Sequence, residues 1–102
     1  MKKILLMCSA GMSTSIMVKK MTEAASKINA DVEIKAIPEQ ALSENLNTTD
    51  IILLGPQVRF LLNKVQDVAK SIPVRVIDTL DYGTMNGEKI LQQALNVIAE
   101  NN

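Results

Sequence analysis

The chain has 102 residues, 47% of them hydrophobic and 22% charged, the profile of one compact domain rather than of two domains or a disordered segment. Its 11 basic and 11 acidic side chains cancel, so no global field draws it to nucleic acid or an anionic membrane, and an aromatic content of 2% removes base-stacking platforms. With no histidine and a single cysteine, Cys8, it cannot form a Ser-His-Asp or Cys-His pair, an imidazole or multi-thiolate metal site, an internal disulfide or a CxxC couple.

Met1-Lys2-Lys3 ahead of Ile4 to Met7 and Cys8 has the look of a charged leader running into a lipidated cysteine. The apolar run is shorter than the roughly 7–15 residues a leader needs, and Met7 is not a small residue. No stretch approaches the roughly 20 apolar residues of a membrane span, so a cytoplasmic chain with a reduced thiol is expected. Ile4 to Met7 and Ile51 to Leu54 are continuous apolar runs, as in parallel strands covered on both faces. Val32, Ile34 and Ala36 alternate with Glu33 and Lys35, and Val74 and Val76 flank Arg75, so these two strands belong at the edges. Between the strands, Met17, Met21, Ala24 and Ile28 recur at helical spacing. A short helix is predicted from Pro38 to about Leu46, with the polar stretch Ser43 to Asp50 reading as surface loop. Val58, Leu61, Leu62, Val65, Val68 and Ile72 form the next stripe, and Ile90, Leu91, Ala94, Leu95 and Ile98 the last.

The order βαβαβαβα with right-handed crossovers predicts an α/β fold: a single three-layer domain over residues 1–102, with a four-stranded parallel sheet in order 2-1-3-4 and helices on both faces, flavodoxin-like. The chain reverses direction between strands 1 and 3, and ligands collect at such a switch point beyond the carboxyl ends of the strands. Cys8 falls there.

Cys8-Ser9-Ala10-Gly11-Met12-Ser13-Thr14-Ser15 joins the first strand to the first helix. Gly11 offers backbone freedom, and Ser13 or Thr14 suits an N-cap. Unpaired amides and the positive end of the helix would converge near Cys8, where they favour a thiolate and hence a nucleophile. The same amides would hold the oxygens of a phosphoryl group on the sulfur. The plain alternative is an ordinary buried thiol beside an ordinary turn.

Such a loop is similar to that of the low-molecular-weight tyrosine phosphatases, in which Cys, five residues and Arg grip a phosphoryl group. Thr14 stands in the arginine's place, so the bidentate clamp is missing and a phosphatase or reductase loses its main support. Asp81 and Tyr82 follow the fourth strand and are the candidates for an acid, while Asp78 is expected to order the turn. A thiol-based sensing module, with Cys8 oxidised rather than phosphorylated, is a further alternative. A receiver domain is disfavoured, because Met7-Cys8 and Gly55-Pro56 occupy the positions of its acidic residues.

The stretches Ile4 to Ser15, Asp50 to Gln57, and Val76-Ile77-Asp78 with Tyr82-Gly83 together resemble the IIB components of the lactose/cellobiose class of bacterial phosphotransferase systems, the cellobiose type in particular, over nearly the whole chain. The resemblance implies a phosphocarrier. Cys8 would accept a phosphoryl group from a phosphohistidine on a IIA partner and pass it to a disaccharide of the cellobiose, lactose or chitobiose class held by a membrane IIC transporter. It implies a phosphate cradle of backbone amides from Ser9, Ala10, Gly11, Met12, Ser13, Thr14 and Ser15, with the Ser13 and Ser15 hydroxyls as extra donors, and no metal or cofactor. Met12, Gln57, Val58 and Tyr82 are expected to surround the sulfur as a partly apolar docking rim, Met12 serving equally well as packing. A monomer that meets its partners transiently is expected.

Overall fold

A computed structural model describes residues 1–8 and 11–101, the side chains of Gly11, Met12 and Ser13 aside. Strands β1 (Lys2–Met7), β2 (Val32–Ala36), β3 (Ile51–Leu54) and β4 (Val74–Val76) form one parallel sheet in the order β2-β1-β3-β4. The central pair carries the two continuous apolar runs, and the flanking pair carries the alternating ones. In β1, Ile4 and Leu6 point to one face and Leu5 and Met7 to the other, the period of two that a strand imposes. Register repeats the division across to β3, where Ile4 stands beside Ile51 and Leu6 beside Leu53.

Each face has its own helical layer. Helices α1 (Gly11–Lys27) and α5 (Gly87–Glu100) cover the Ile4 and Leu6 face through Met17, Met21, Ile90, Leu91, Ala94 and Ile98. The short α2 (Leu42–Asn45) and α3 (Leu62–Ala69) cover the Leu5 and Met7 face through Leu42, Val65 and Ala69, joined there by Val58. Gly87 lets α5 approach α1: a Cβ built on it would lie 2.7 Å from the Lys20 carbonyl carbon and 2.8 Å from the Met21 nitrogen.

Three sequence expectations need correction. Ile28 lies past the end of α1 and is 54% exposed, because the chain turns at Asn29 (φ 55°) and the Ala30 N–H closes on the Ala25 carbonyl. The helix expected from Pro38 is a series of short turns: 3₁₀ at Glu39–Ala41, then α2, then 3₁₀ at Leu46–Thr48, with Pro38 extended ahead of them. Local polar bonds divide it, Asn45 Nδ2 donating to the Ala41 carbonyl and Lys35 Nζ donating to Asn45 Oδ1. The stripe from Val58 to Ile72 is two pieces, a 3₁₀ segment Pro56–Leu61 and then α3. Val58 has non-helical angles, Val68 is exposed, and Ile72 lies beyond the turn at Lys70. One helix has no counterpart among the expectations: α4 (Thr79–Gly83), directly after β4, is too short to show a periodicity. Asp78 caps it by accepting from the Leu80 and Asp81 N–H groups at 3.0 and 3.2 Å, the turn-ordering part foreseen for it.

Candidate functional site

Parallel strands deliver their carboxyl ends to one side of the sheet, and Cys8 follows the last residue of β1 there, at the reversal between β1 and β3. Four connections start from this edge: α1 begins three residues after Cys8, the turn to Pro38 follows β2, Gly55 follows β3, and α4 follows β4. The Gly55 N–H donates to the Met7 carbonyl at 2.8 Å, which carries the β1–β3 ladder up to the site and brings Gly55 against the cysteine. A Cβ on Gly55 would lie 2.8 Å from Cys8 Sγ and 2.7 Å from Gln57 Oε1. Any larger residue would force both side chains to move.

From the far side, Tyr82 Oη donates a hydrogen bond to Cys8 Sγ at 3.3 Å. The two residues are 74 positions apart and meet because α4 folds back over the end of the sheet, its ring packed in the same core cluster as Ile4 and Leu6. A donor on sulfur stabilises negative charge there and restricts the rotation of the side chain. Cys8 is itself only partly buried. A cavity of about 290 Å³ opens beside it, with Pro38, Gln40, Val58 and Phe60 in its wall; Glu39, also on the lining, is paired with Lys64 at 2.6 Å.

The sequence candidates divide. Cys8, Tyr82, Val58 and Gln57 converge on this edge. Tyr82 and Val58 are, however, 4% and 7% exposed and belong to the two core clusters rather than to an exposed docking rim; Val58 lines the cavity, and Tyr82 touches the sulfur through its hydroxyl. Gln57 is exposed. Thr14 is buried and Ser15 exposed, both within the first turns of α1, which starts at Gly11; Ser13 and Thr14 are therefore inside the helix and not at its cap. No described glycine adopts a positive φ, so the freedom attributed to Gly11 is not used in that way. Ser9 and Ala10, and the side chains of Met12 and Ser13, lie outside the described residues.

Asp81 is engaged away from the sulfur. It is buried, and its Oδ1 pairs with Lys89 Nζ at 3.2 Å, tying α4 to α5; among the described residues its Oδ2 has no hydrogen-bond partner. Two exposed apolar side chains were missed by sequence reading, Phe60 at 76% on the cavity wall and Leu80 at 71% on α4. As the one phenylalanine in the chain, set outside the apolar positions of its own turn, Phe60 was the detectable signal. Among the described residues no helix is long and apolar enough to cross a membrane.

The family model for the lactose/cellobiose-specific IIB subunit of phosphotransferase systems matches residues 3–93. The oligo-β-mannoside-specific EIIB component of Bacillus subtilis (strain 168) is 44% identical over 100 residues, covering 96% of this chain and 97% of that protein. The galactose-specific EIIB component of Lactococcus lactis subsp. cremoris (strain MG1363) is 41% identical over 104 residues, covering 95% and 96%. The solution structure of the cellobiose-specific phosphotransferase IIB component from Borrelia burgdorferi superposes with a TM-score of 0.83 at 44% identity, over 99% of this chain and 94% of that one.

Proposed function

Because the chain belongs to the lactose/cellobiose-specific IIB family of sugar phosphotransferase systems, we propose that Cys8 is the phosphoryl carrier of a sugar uptake system. The Cys8 thiolate attacks the phosphorus of an N-phosphohistidine on a IIA partner. The N–P bond breaks as the S–P bond forms, and the released imidazole takes up a proton. A sugar hydroxyl at the IIC transporter then attacks the same phosphorus, loses its proton, and the S–P electron pair returns to sulfur. The sugar is a disaccharide of the cellobiose, lactose or chitobiose class, and the carrier works in the cytoplasm as a monomer.

The observation that carries this reading is the position of the chain's one thiol: partly exposed at the carboxyl end of a central strand, beside an open cavity, with a hydroxyl donating to its sulfur. The positive end of α1, which begins three residues after Cys8, suits a phosphoryl dianion, so the amides from Ser9 to Ser15 form the proposed cradle. Thr14 in place of a phosphatase arginine, and Asp81 committed to Lys89, favour a carrier that holds its cargo over an enzyme that hydrolyses it. No histidine stands among these 102 residues, so the phosphohistidine lies outside them. Exposed Phe60 and Leu80 supply the apolar contact area that a transient partner needs.

The test is incubation with a phosphoenolpyruvate-driven donor system followed by intact mass measurement. One added phosphoryl group is expected on the wild type and none on Cys8→Ser. Addition that survives the substitution, or ordinary turnover of an aryl phosphate that Cys8→Ser abolishes, overturns the carrier reading.

A further inference from the structure

We infer that Gln57 is a phosphoryl ligand of this site, its carboxamide donating to the phosphoryl group on Cys8 from the turn after β3; the inference rests on the phosphocarrier reading above. Sγ of Cys8 and Oε1 of Gln57 both lie within a van der Waals contact of one point, the place where a Gly55 side chain would begin. Only a residue without a side chain at position 55 lets the two face each other. Gln57 is exposed, and it follows Pro56, whose ring and the extended Gly55 (φ −61°, ψ 152°) fix the direction in which the 3₁₀ segment leaves β3. A carboxamide offers two N–H donors as well as its oxygen, and rotation about its last bond exchanges them, so the atom facing a neutral thiol and the atom facing an anion need not be the same.

Tyr82 Oη reaches the sulfur from α4, and α1 begins on a third side. The phosphoryl group on Cys8 then meets neutral donors from three connections of the sheet, with Thr14 standing where a phosphatase has its arginine. Neutral hydrogen bonds are about half as strong as charge-assisted ones. Such a site holds the group and still releases it to the next acceptor. In the transfer step the S–P bond forms as the donor's N–P bond breaks, and Gln57 neither gains nor loses a proton; it only orients the oxygens.

The experiment follows phosphoryl uptake from the phosphoenolpyruvate-driven donor system by rapid quench and intact mass, at varied donor concentration, for wild type, Gln57→Ala and Gln57→Glu. Exposure of the side chain makes both variants fold, which thermal unfolding checks. Gln57→Ala is expected to lower the maximal rate by about tenfold with little change in the donor concentration at half-maximal rate. Gln57→Glu, the same shape with a carboxylate in place of the donor, is expected to fall further. Its rate relative to wild type should then recover as pH is lowered towards the carboxylate range near about 4.3, where the repelling charge is neutralised. A merely structural residue would show no such recovery. An unchanged Gln57→Ala rate, or a loss confined to half-maximal donor concentration, overturns the inference and leaves the carrier reading intact. A wild type that gains no mass overturns both.

Discussion

Glycine at position 55 and tyrosine at position 82 hold the Cys8 sulfur between them, one by absence and one by a hydrogen bond. A methyl group at Gly55 would meet only the far ends of two side chains, Sγ and Oε1, while the backbone angles at Gly55 suit any residue. Gly55→Ala is therefore expected to leave the unfolding temperature nearly unchanged and to reduce phosphoryl uptake by an order of magnitude or more, as Cys8 and Gln57 swing away. A large fall in stability with full uptake would show that the glycine serves packing and not the site. Tyr82→Phe keeps the buried ring and removes its hydroxyl, which donates to sulfur at 3.3 Å. One hydrogen bond is worth about 0.5–1.5 kcal/mol, so uptake should slow by about two- to tenfold, and alkylation of Cys8 by iodoacetamide should slow with it. Equal alkylation rates in the two proteins would remove Tyr82 from the site.

Elements act here through the ends they present. Helix α1 starts beside Cys8, and it is held against α5 at Gly87, where the helices pass closer than a Cβ allows. The atoms in the way are backbone and Cβ of Lys20 and the nitrogen of Met21, which cannot swing aside. Gly87→Ala should thus destabilise by about 1–3 kcal/mol in urea denaturation, even though alanine is the better helix former. It should also slow uptake at Cys8, because α1 is displaced as a body; a stabilised variant would mean that the helices separate without cost. Helix α4 shows the same logic in five residues. Too short to stand alone, it is held by the Asp78 cap at one end and by the Asp81–Lys89 pair to α5, and it delivers Tyr82 as a result.

For the molecule as a whole, two core clusters meet at the plane of β1 and β3, and every residue from Ile4 to Met7 contributes to one or the other. The strand that leads into Cys8 is consequently among the most enclosed parts of the fold, so the backbone that carries the sulfur is anchored in the core beneath it. Leu6 is fully buried beside Leu53. Leu6→Ala should cost about 2–5 kcal/mol, a large share of the roughly 5–15 kcal/mol that stabilises a domain, and lower the urea midpoint with an unchanged slope. A loss below about 1 kcal/mol would mean that the β1 face is less tightly filled than its burial indicates.

Strand positions, sheet order, the two helical layers and the placement of Cys8 at the switch point follow from residue patterns alone. They depend on apolar runs and alternation, which answer directly to whether a strand is covered on two faces or one. Helix bounds between Pro38 and Ile72 did not follow, because Asn45, Val58 and Lys70 interrupt the chain through local bonds and angles that a periodicity does not register. The topology also puts Tyr82 near the sulfur but does not yield the inner details of the site: that its hydroxyl donates to Sγ, that Gly55 must lack a side chain, and that Asp81 belongs to Lys89. The contacts at the sulfur join residues far apart in the chain, and only the closing of α4 and the β3 turn over the sheet's edge brings them together. Composition and order along the chain determined which chemistry was available and on which edge of the sheet it would stand; tertiary packing decided which side chains touch the sulfur, since reach across a fold is a property of distance in space and not of spacing in sequence.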